Sequence, residues 1–298
     1  MFWQNDNAVI IGKYQNTYAE INASFVKEHR IKVARRLSGG GAVYHDMGNL
    51  NFTYIINSGE PNFDFSVYCE PMIRALRSLG VAAEQSSRND ITIDGKKCSG
   101  NAQNYRKGRL MHHGTLLYDS NLDMLAHALN VPADKIESKA IPSVRSRVTN
   151  IKPYMREPAT IETFRDSLKA FLFQEYEGRM TEYGLNSTEL EAVKALRDMK
   201  YAVWDWNYGQ SPHGNIRKKR RIEGCGTIEV YMDVEKFMIR QLAFHGDYFG
   251  HEDSSFLAEQ LIGCPLEEEA LHRRLAKLSI SSYFHNLQAD QLISLLLC

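Results

Sequence analysis

Three glycines in a row, Gly39-Gly40-Gly41, stand behind Arg35-Arg36-Leu37-Ser38 and ahead of Ala42-Val43-Tyr44-His45-Asp46. No other feature restricts the chain as strongly. A run without Cβ atoms continues a helix or strand only at a cost, but it lets backbone approach a ligand closely with its N–H groups free. Residues 31–37 (IKVARRL) read as a strand leading into it. Residues 8–11 (AVII) read as another that stops at Gly12, with a short helix from Asn22 to His29 between them. The adjacent arginines add charge and a donor fork suited to phosphate or carboxylate. The plainer reading is a tight turn flanked by solvated arginines, and the pattern alone supports both. Neither Gly-Lys-Ser/Thr nor G-x-G-x-x-G is present, so the known phosphate loops are excluded while another kind of phosphate site is not.

Further along, NLNFTYII (49–56) alternates as a strand, and 65–79 place Val67, Met72, Ile73, Leu76 and Leu79 at helical spacing before Gly80. Residues 89–118 read as strand, Asp94-Gly95 turn, strand and strand. In that stretch Lys97 is suited to meet an acyl phosphate oxygen as a compact cation, or is one of two exposed hairpin lysines. Cys98 beside it points to the opposite face if Lys97 faces a pocket, which favours a buried structural thiol over a nucleophile. His112 and His113 likewise face opposite ways, so at most one serves a given site. Arg145 and Arg147 alternate onto one face and can meet one anion. Helical patterns return at 120–130 and 160–176, and again, polar in character, from about 178 to 200. After Trp204 the chain reads as turns, an antiparallel hairpin, and short helices near 255–262 and 266–277.

Composition bounds the rest. The 298 residues carry 36 Lys+Arg against 36 Asp+Glu and are 43% apolar, the profile of a globular protein. The length allows one compact unit but favours two domains, and the order of elements reads as a mixed α/β domain followed by a small α+β domain, α/β (α+β) in class. Zero net charge gives no whole-protein attraction to nucleic acid or to an anionic membrane. The five cysteines are scattered and form no C-x-x-C pair, so neither a disulfide framework nor a zinc site is expected. With no secretory pattern at the N-terminus and no apolar run of about 18–20 residues, a cytoplasmic address is expected.

RRLSGGGAVYHDMGNLNFTYI, NDITIDGKKCSGNA, HHGTLLYD and SVRSRVTN, in this order and spacing, resemble the lipoate–protein ligase A family. WDWNYGQSP and the hairpin after it resemble that family's C-terminal accessory domain. The resemblance implies a mixed-sheet catalytic domain of the biotin/lipoate ligase type over 1–190, a connection over 191–203 and a small α+β accessory domain over 204–298. It implies that lipoate and ATP give lipoyl-adenylate and pyrophosphate, and that the lipoyl group then passes to a specific lysine of a lipoyl domain. The acceptors implied are 2-oxoacid dehydrogenase complexes or the glycine-cleavage H protein. Carried over, Arg36 and the backbone of Gly41, Ala42, Val43 and Tyr44 contact the nucleotide, and Lys97 contacts both nucleotide and lipoyl carboxyl. Ser38, Gly39, Gly40 and His45 are expected on the lipoate side. Asn89, Asp90, Ser99, Gly100, Arg145 and Arg147 are further candidates, with 131–147 as a loop closing over the adenylate. Mg2+ is expected with ATP, its ligands unassigned.

In the family a strand and helix normally precede the segment aligning with FWQNDNAVIIGKYQN, so the resemblance implies either a start internal to a longer product or a sheet lacking one edge and part of a pocket wall. The basic run Arg217-Lys218-Lys219-Arg220-Arg221 reads either as a solvated turn or as a docking site for an acidic lipoyl domain. Three competing functions stay in view. A biotin ligase has a Gly-Arg-Gly-Arg-type loop where this chain has Ser-Gly-Gly-Gly-Ala-Val. An ATP-independent lipoyl or octanoyl transferase needs a cysteine nucleophile, for which only Cys98 is near the motifs. A non-catalytic binder has no use for the adenylate residues.

Overall fold

The computed structural model describes residues 1–59, 64–86, 89–129, 147–176, 181–209, 216–235 and 238–297. Alternation between Asn49 and Leu117 builds the largest sheet. Its spatial order is Phe2–Trp3, Asn49–Asn57, Arg109–Leu117, Lys96–Arg106, Asp90–Ile93 and Ala83–Gln85, with every neighbouring pair antiparallel. Two two-residue turns fix the register. Asp94-Gly95 and Lys107-Gly108 all have positive φ, as the twist of a tight hairpin requires. Helix Phe65–Ser78 begins where the Asp64 carboxylate accepts from the Ser66 N–H and ends at Gly80. With helix Ile161–Glu175 it covers one face of the sheet, where Met72, Leu76, Phe164 and Leu168 meet Leu50, Phe52, Ile91 and Leu116.

A second, three-stranded sheet supplies the mixed pairing. Its central strand Ala8–Ile11 runs parallel to Lys32–Arg35 and antiparallel to Val43–His45, and it packs on helices Ala23–Glu28 and Leu122–Ala128. The glycine run thus leaves one edge strand of this sheet and enters the other. The C-terminal part is an antiparallel meander, Ile216–Ile222, Gly226–Glu235 and Met238–Gly246, with helices Ser254–Leu261, Glu268–Leu275, Ile280–Tyr283 and Ala289–Leu297.

The basic run is not a turn. It is the first strand of that meander, and four of its five charges are engaged while Arg221 is exposed. Arg217 and Lys219 point to one side and both reach the buried Glu229 carboxylate at 2.8 Å. On the other side Lys218 donates to the Leu296 carbonyl and Arg220 to the Ser294 hydroxyl, both on the last helix. A run of like charges folded as a strand because one buried carboxylate and a helix end neutralise it from across each face.

The N- and C-terminal parts exchange side chains. Tyr14 is buried in the C-terminal core, stacked on Tyr248 at 4.7 Å, while Phe249 is buried in the core under the large sheet. Lys13 and Asp253 form an ion pair at 2.8 Å beside them. The short helix Trp204–Asn207, read from sequence as the start of the accessory part, bonds to Arg35 and Thr17 of the N-terminal part. No helix among the described residues is long and apolar enough to cross a membrane.

Candidate active site

The face of the large sheet turned away from its helices meets the small sheet over a cavity of about 330 Å³. Period-two geometry decides which residues reach it. Asn51, Thr53 and Ile55 line the cavity while Leu50 and Phe52, which alternate with them, are in the core. Met111, His113 and Thr115 line it while Leu110, His112 and Leu116 are buried. Trp3, Ile10, Val43 and Ala102 extend the apolar wall, and Arg36, His45, Asn89, Lys97 and Asn101 stand among its polar groups.

The glycine loop bends around the Arg36 guanidinium. Nη2 donates to the carbonyls of Gly39 (2.7 Å) and Gly41 (2.8 Å), Nη1 to Ile10, and Nε to the Ser38 hydroxyl. Burial, with the charge of Arg35 next to it, lowers its pKa to about 10, so it stays charged at neutral pH. Gly40 takes φ +88°, and a Cβ on Gly39 would lie 2.3 Å from the Tyr248 carbonyl oxygen. Ser38 also meets His113 Nε2 at 2.5 Å, tying the loop to the large sheet.

Lys97 sits at the cavity edge and pairs with Asp90 at 2.7 Å. Its ammonium lies over Gly100, where a Cβ would come within 2.8 Å of Cε and Nζ. Asn89 and Asn101 fix that corner: the Asn89 amide donates to the Asn101 carbonyl at 2.6 Å and the Asn101 amide to the Asn89 carbonyl at 2.9 Å. Cys98 faces away, fully buried, donating to the Ile91 carbonyl, and burial pushes its thiol up to about 12.

Of the residues expected on sequence grounds, Arg36, Gly40, Gly41, Ala42, Val43, His45, Asn89, Lys97 and Gly100 line the cavity, and Asp90 joins through Lys97. Ser38 acts from behind the loop, and Gly39 abuts Tyr248. Tyr44 is buried with its hydroxyl on Asn7, and Ser99 is buried and accepts from the Asn101 amide. Arg147 is exposed one residue before Val148, which bridges to Lys97. Arg145 and the loop over 131–146 lie outside the described residues. Arg35, adjacent to Arg36, points to the opposite side of its strand and is sealed from the cavity among backbone carbonyls. Trp3, Asn51, Thr53, Ile55, Met111 and Thr115 were missed, although alternation from Asn51 and His113 would have found all but Trp3.

His45 Nδ1 lies 3.1 Å from the Asn5 amide nitrogen, and its Nε2 is buried with no partner. Burial, aided by Arg36, lowers the pKa of His45 and of His113 to about 3, and burial alone does the same to His112. All three are neutral at physiological pH, and their contribution to stability has a definite sign. The unfolded chain protonates them near 6.5 while the folded chain does not, so stability is full above about pH 6.5 and falls as pH drops towards 3. The slope is about 1.4 kcal/mol per pH unit for each histidine. Urea unfolding between pH 5 and 7.5 is therefore expected to show a midpoint falling with acidity, and a flat profile would contradict the neutral assignment.

Residues 1–173 match the family model for the lipoyl protein ligase A/B catalytic domain, and residues 211–296 that for the bacterial lipoate protein ligase C-terminus. A lipoate–protein ligase of Bacillus subtilis is 43% identical over 298 residues, covering 99% of this chain and 90% of that protein. Lipoate–protein ligase 1 of Staphylococcus aureus is 39% identical over 297 residues with the same coverage. Among solved structures, a Plasmodium falciparum protein, LipL1, in complex with lipoate superposes with a TM-score of 0.77 at 26% identity, covering 99% of this chain and 85% of that one. A lipoate–protein ligase A bound with ATP gives 0.62 at 31% identity, covering 70% and 85%.

Proposed function

The chain belongs to the lipoyl protein ligase A/B family, and on that premise we propose that it activates lipoate with ATP and transfers the lipoyl group to a lysine of a lipoyl domain. In the first step a lipoate carboxylate oxygen attacks the α-phosphorus and pyrophosphate leaves. In the second the acceptor amine attacks the acyl carbon and the bond to AMP breaks. The observation that carries the reading is the cavity, with apolar walls for an acyl chain and Lys97 at a polar corner beside the glycine loop. A cation there neutralises the carboxylate and the α-phosphate as they approach, and again stabilises the charge left on AMP. The backbone of Gly41, Ala42 and Val43 offers N–H groups to the phosphates, while Arg36 spends most of its donors holding that backbone in place.

A Mg2+ arriving with ATP would draw its oxygens from the triphosphate and water. Among the described residues no group of three or more histidine, cysteine or carboxylate side chains is arranged to hold a metal. Asp90, already paired with Lys97, is a carboxylate at the cavity edge. For the acceptor, an archaeal two-part lipoate–protein ligase is described with its E2 lipoyl domain, at 32% identity and a TM-score of 0.62 over 72% of this chain and 85% of that one. That supports a lipoyl domain as the acceptor here. A reducing, cytoplasmic setting agrees with the four buried cysteines among the described residues, which form no disulfide.

The test is lipoate-dependent release of pyrophosphate from ATP, followed by lipoylation of an added apo lipoyl domain. Release and transfer both dependent on ATP support the reading; transfer without ATP would replace it with a transferase. Cys98→Ser separates these further. A thiol this buried cannot serve as a nucleophile, so the variant is expected to keep pyrophosphate release within about threefold, since removing a group that takes no part in the reaction leaves the barrier unchanged.

A further inference from the structure

His113 stands in the cavity wall with one ring nitrogen bonded and the other not. Nε2 meets the Ser38 hydroxyl, whereas Nδ1 has no protein partner among the described residues, and the ring is half-buried on the cavity side of its strand. Other polar side chains of that wall are already engaged. Asn51 donates to the Trp3 carbonyl and Thr53 accepts from the Trp3 indole. Asn101 donates to the Asn89 carbonyl, and Thr115 accepts from the Gly100 N–H. Nε2 of His45 is unpartnered too, but it is buried out of reach.

The network fixes which nitrogen of His113 carries the proton. Ser38 is fully buried, and its hydroxyl oxygen already accepts from Nε of Arg36, a group that only donates. Among the described residues the hydroxyl's own proton has one acceptor in reach, Nε2 of His113, and any other arrangement leaves a buried O–H unpaired. Burial and the Arg36 charge keep the ring neutral, so its single proton sits on Nδ1. Arg36 and Ser38 thereby aim an N–H donor into the cavity.

Strand register says where along an acyl chain that donor lies. The Lys97 ammonium lies over Gly100, whose N–H bonds to Thr115, and Ala102 pairs with His113 one step further on. His113 is therefore two residues, about 7 Å, along the strand from Thr115, on the way to Met111. In lipoate the first ring sulfur hangs on the carbon five bonds from the carboxyl carbon, an extended reach of about 6 Å at ordinary C–C lengths. With the carboxylate at Lys97, that sulfur comes level with Nδ1. Resting on the reading of the chain as a lipoate ligase, we propose that His113 selects a dithiolane-bearing acid over a plain hydrocarbon acid by donating its Nδ1 hydrogen to the ring sulfur. Divalent sulfur is a weak acceptor. The selectivity comes as much from the alternative, because a hydrocarbon chain offers only C–H groups there and leaves the N–H desolvated and unpaired.

The test compares lipoate with cyclopentylpentanoate, which keeps the five-membered ring and lacks both sulfurs. Calorimetry reads binding of each acid, and pyrophosphate release reads its activation. The wild type is expected to favour lipoate by about tenfold or more. Two substitutions separate the donor from the tie to the glycine loop. A glutamine amide reaches the place of Nε2 and an asparagine amide the place of Nδ1. His113→Gln thus keeps an acceptor for Ser38 and loses the donor, and its preference is expected to fall about tenfold. His113→Asn keeps a donor in the cavity and gives up Ser38, and it is expected to retain most of the preference. A wild type that binds the two acids equally, or binds neither, overturns the proposal whether or not the variants fold. So does a preference unchanged in His113→Gln or lost only in His113→Asn. A loss shared equally by both acids in His113→Gln places the ring at the carboxylate and overturns the assignment to sulfur. If the binding preference shifts as expected but no pyrophosphate is released, the ligase reading fails and the donor assignment stands; release with an unchanged preference gives the reverse.

Discussion

Lys97→Ala is expected to slow lipoate-dependent pyrophosphate release about 10²–10³-fold, the loss typical of removing one preorganised charge from a site where negative charge gathers. The drop belongs in kcat more than in KM for lipoate. The apolar wall of the cavity, from Trp3 to Met111, is untouched by the substitution and still receives the acyl chain. Gly100→Ala gives a graded companion result. Its Cβ would sit 2.8 Å from the end of the Lys97 side chain, which must then leave its place over the strand. A partial loss in Gly100→Ala with the full charge still present would show that position as well as charge matters. Pyrophosphate release within threefold of wild type in Lys97→Ala would remove Lys97 from the reaction.

Arg35→Leu is expected to cost about 3–5 kcal/mol of stability, because it strands several buried acceptors at once. The side chain is 2% exposed and donates from Nη1 to the carbonyls of Gly12, Lys13 and Gln15, from Nε to Trp206, and from Nη2 to the Thr17 hydroxyl. Its own backbone exchanges bonds with Asn207 and the Trp206 indole. Burial lowers its pKa to about 10, which still leaves it charged at neutral pH. A fall in melting temperature of about 10 °C is the corresponding readout. Arg35→Lys is expected to recover only part of it, since one ammonium cannot span acceptors spread around a planar fork. A melting temperature unchanged in Arg35→Leu would mean that those carbonyls find water without loss.

The contrast between Arg35 and Arg36 shows where sequence reading stops. Adjacent arginines ahead of a glycine run look equivalent on paper, and charge alone suggests both for an anion. Strand geometry sends them to opposite sides, one into the cavity wall and one into the seam with Trp204–Asn207. The strands and helices around the site were legible because each was written in a local period, from the alternation of Asn49–Asn57 to the helical spacing of Phe65–Ser78. Tight turns at Asp94-Gly95 were legible for the same reason. The strand Ile216–Ile222 was not, because its stability depends on Glu229 and on a helix about 75 residues away. Local pattern cannot announce a partner that distant. Ser38 and His113, joined across the sheets, were likewise visible only as separate residues until the fold brought them to 2.5 Å.

The seam at Gly39, Gly40, Tyr248 and Phe249 bears on how such a chain can change over time. The main-chain oxygen of Tyr248 occupies the room a side chain on residue 39 would need, and the Phe249 ring lies 3.4 Å from where one on Gly40 would project. Two segments that two separate family models recognise therefore share a wall. Neither can drift there alone, and a hybrid joining the first half of one relative to the second half of another has to inherit residues 12–15, 39–40 and 246–253 as one set.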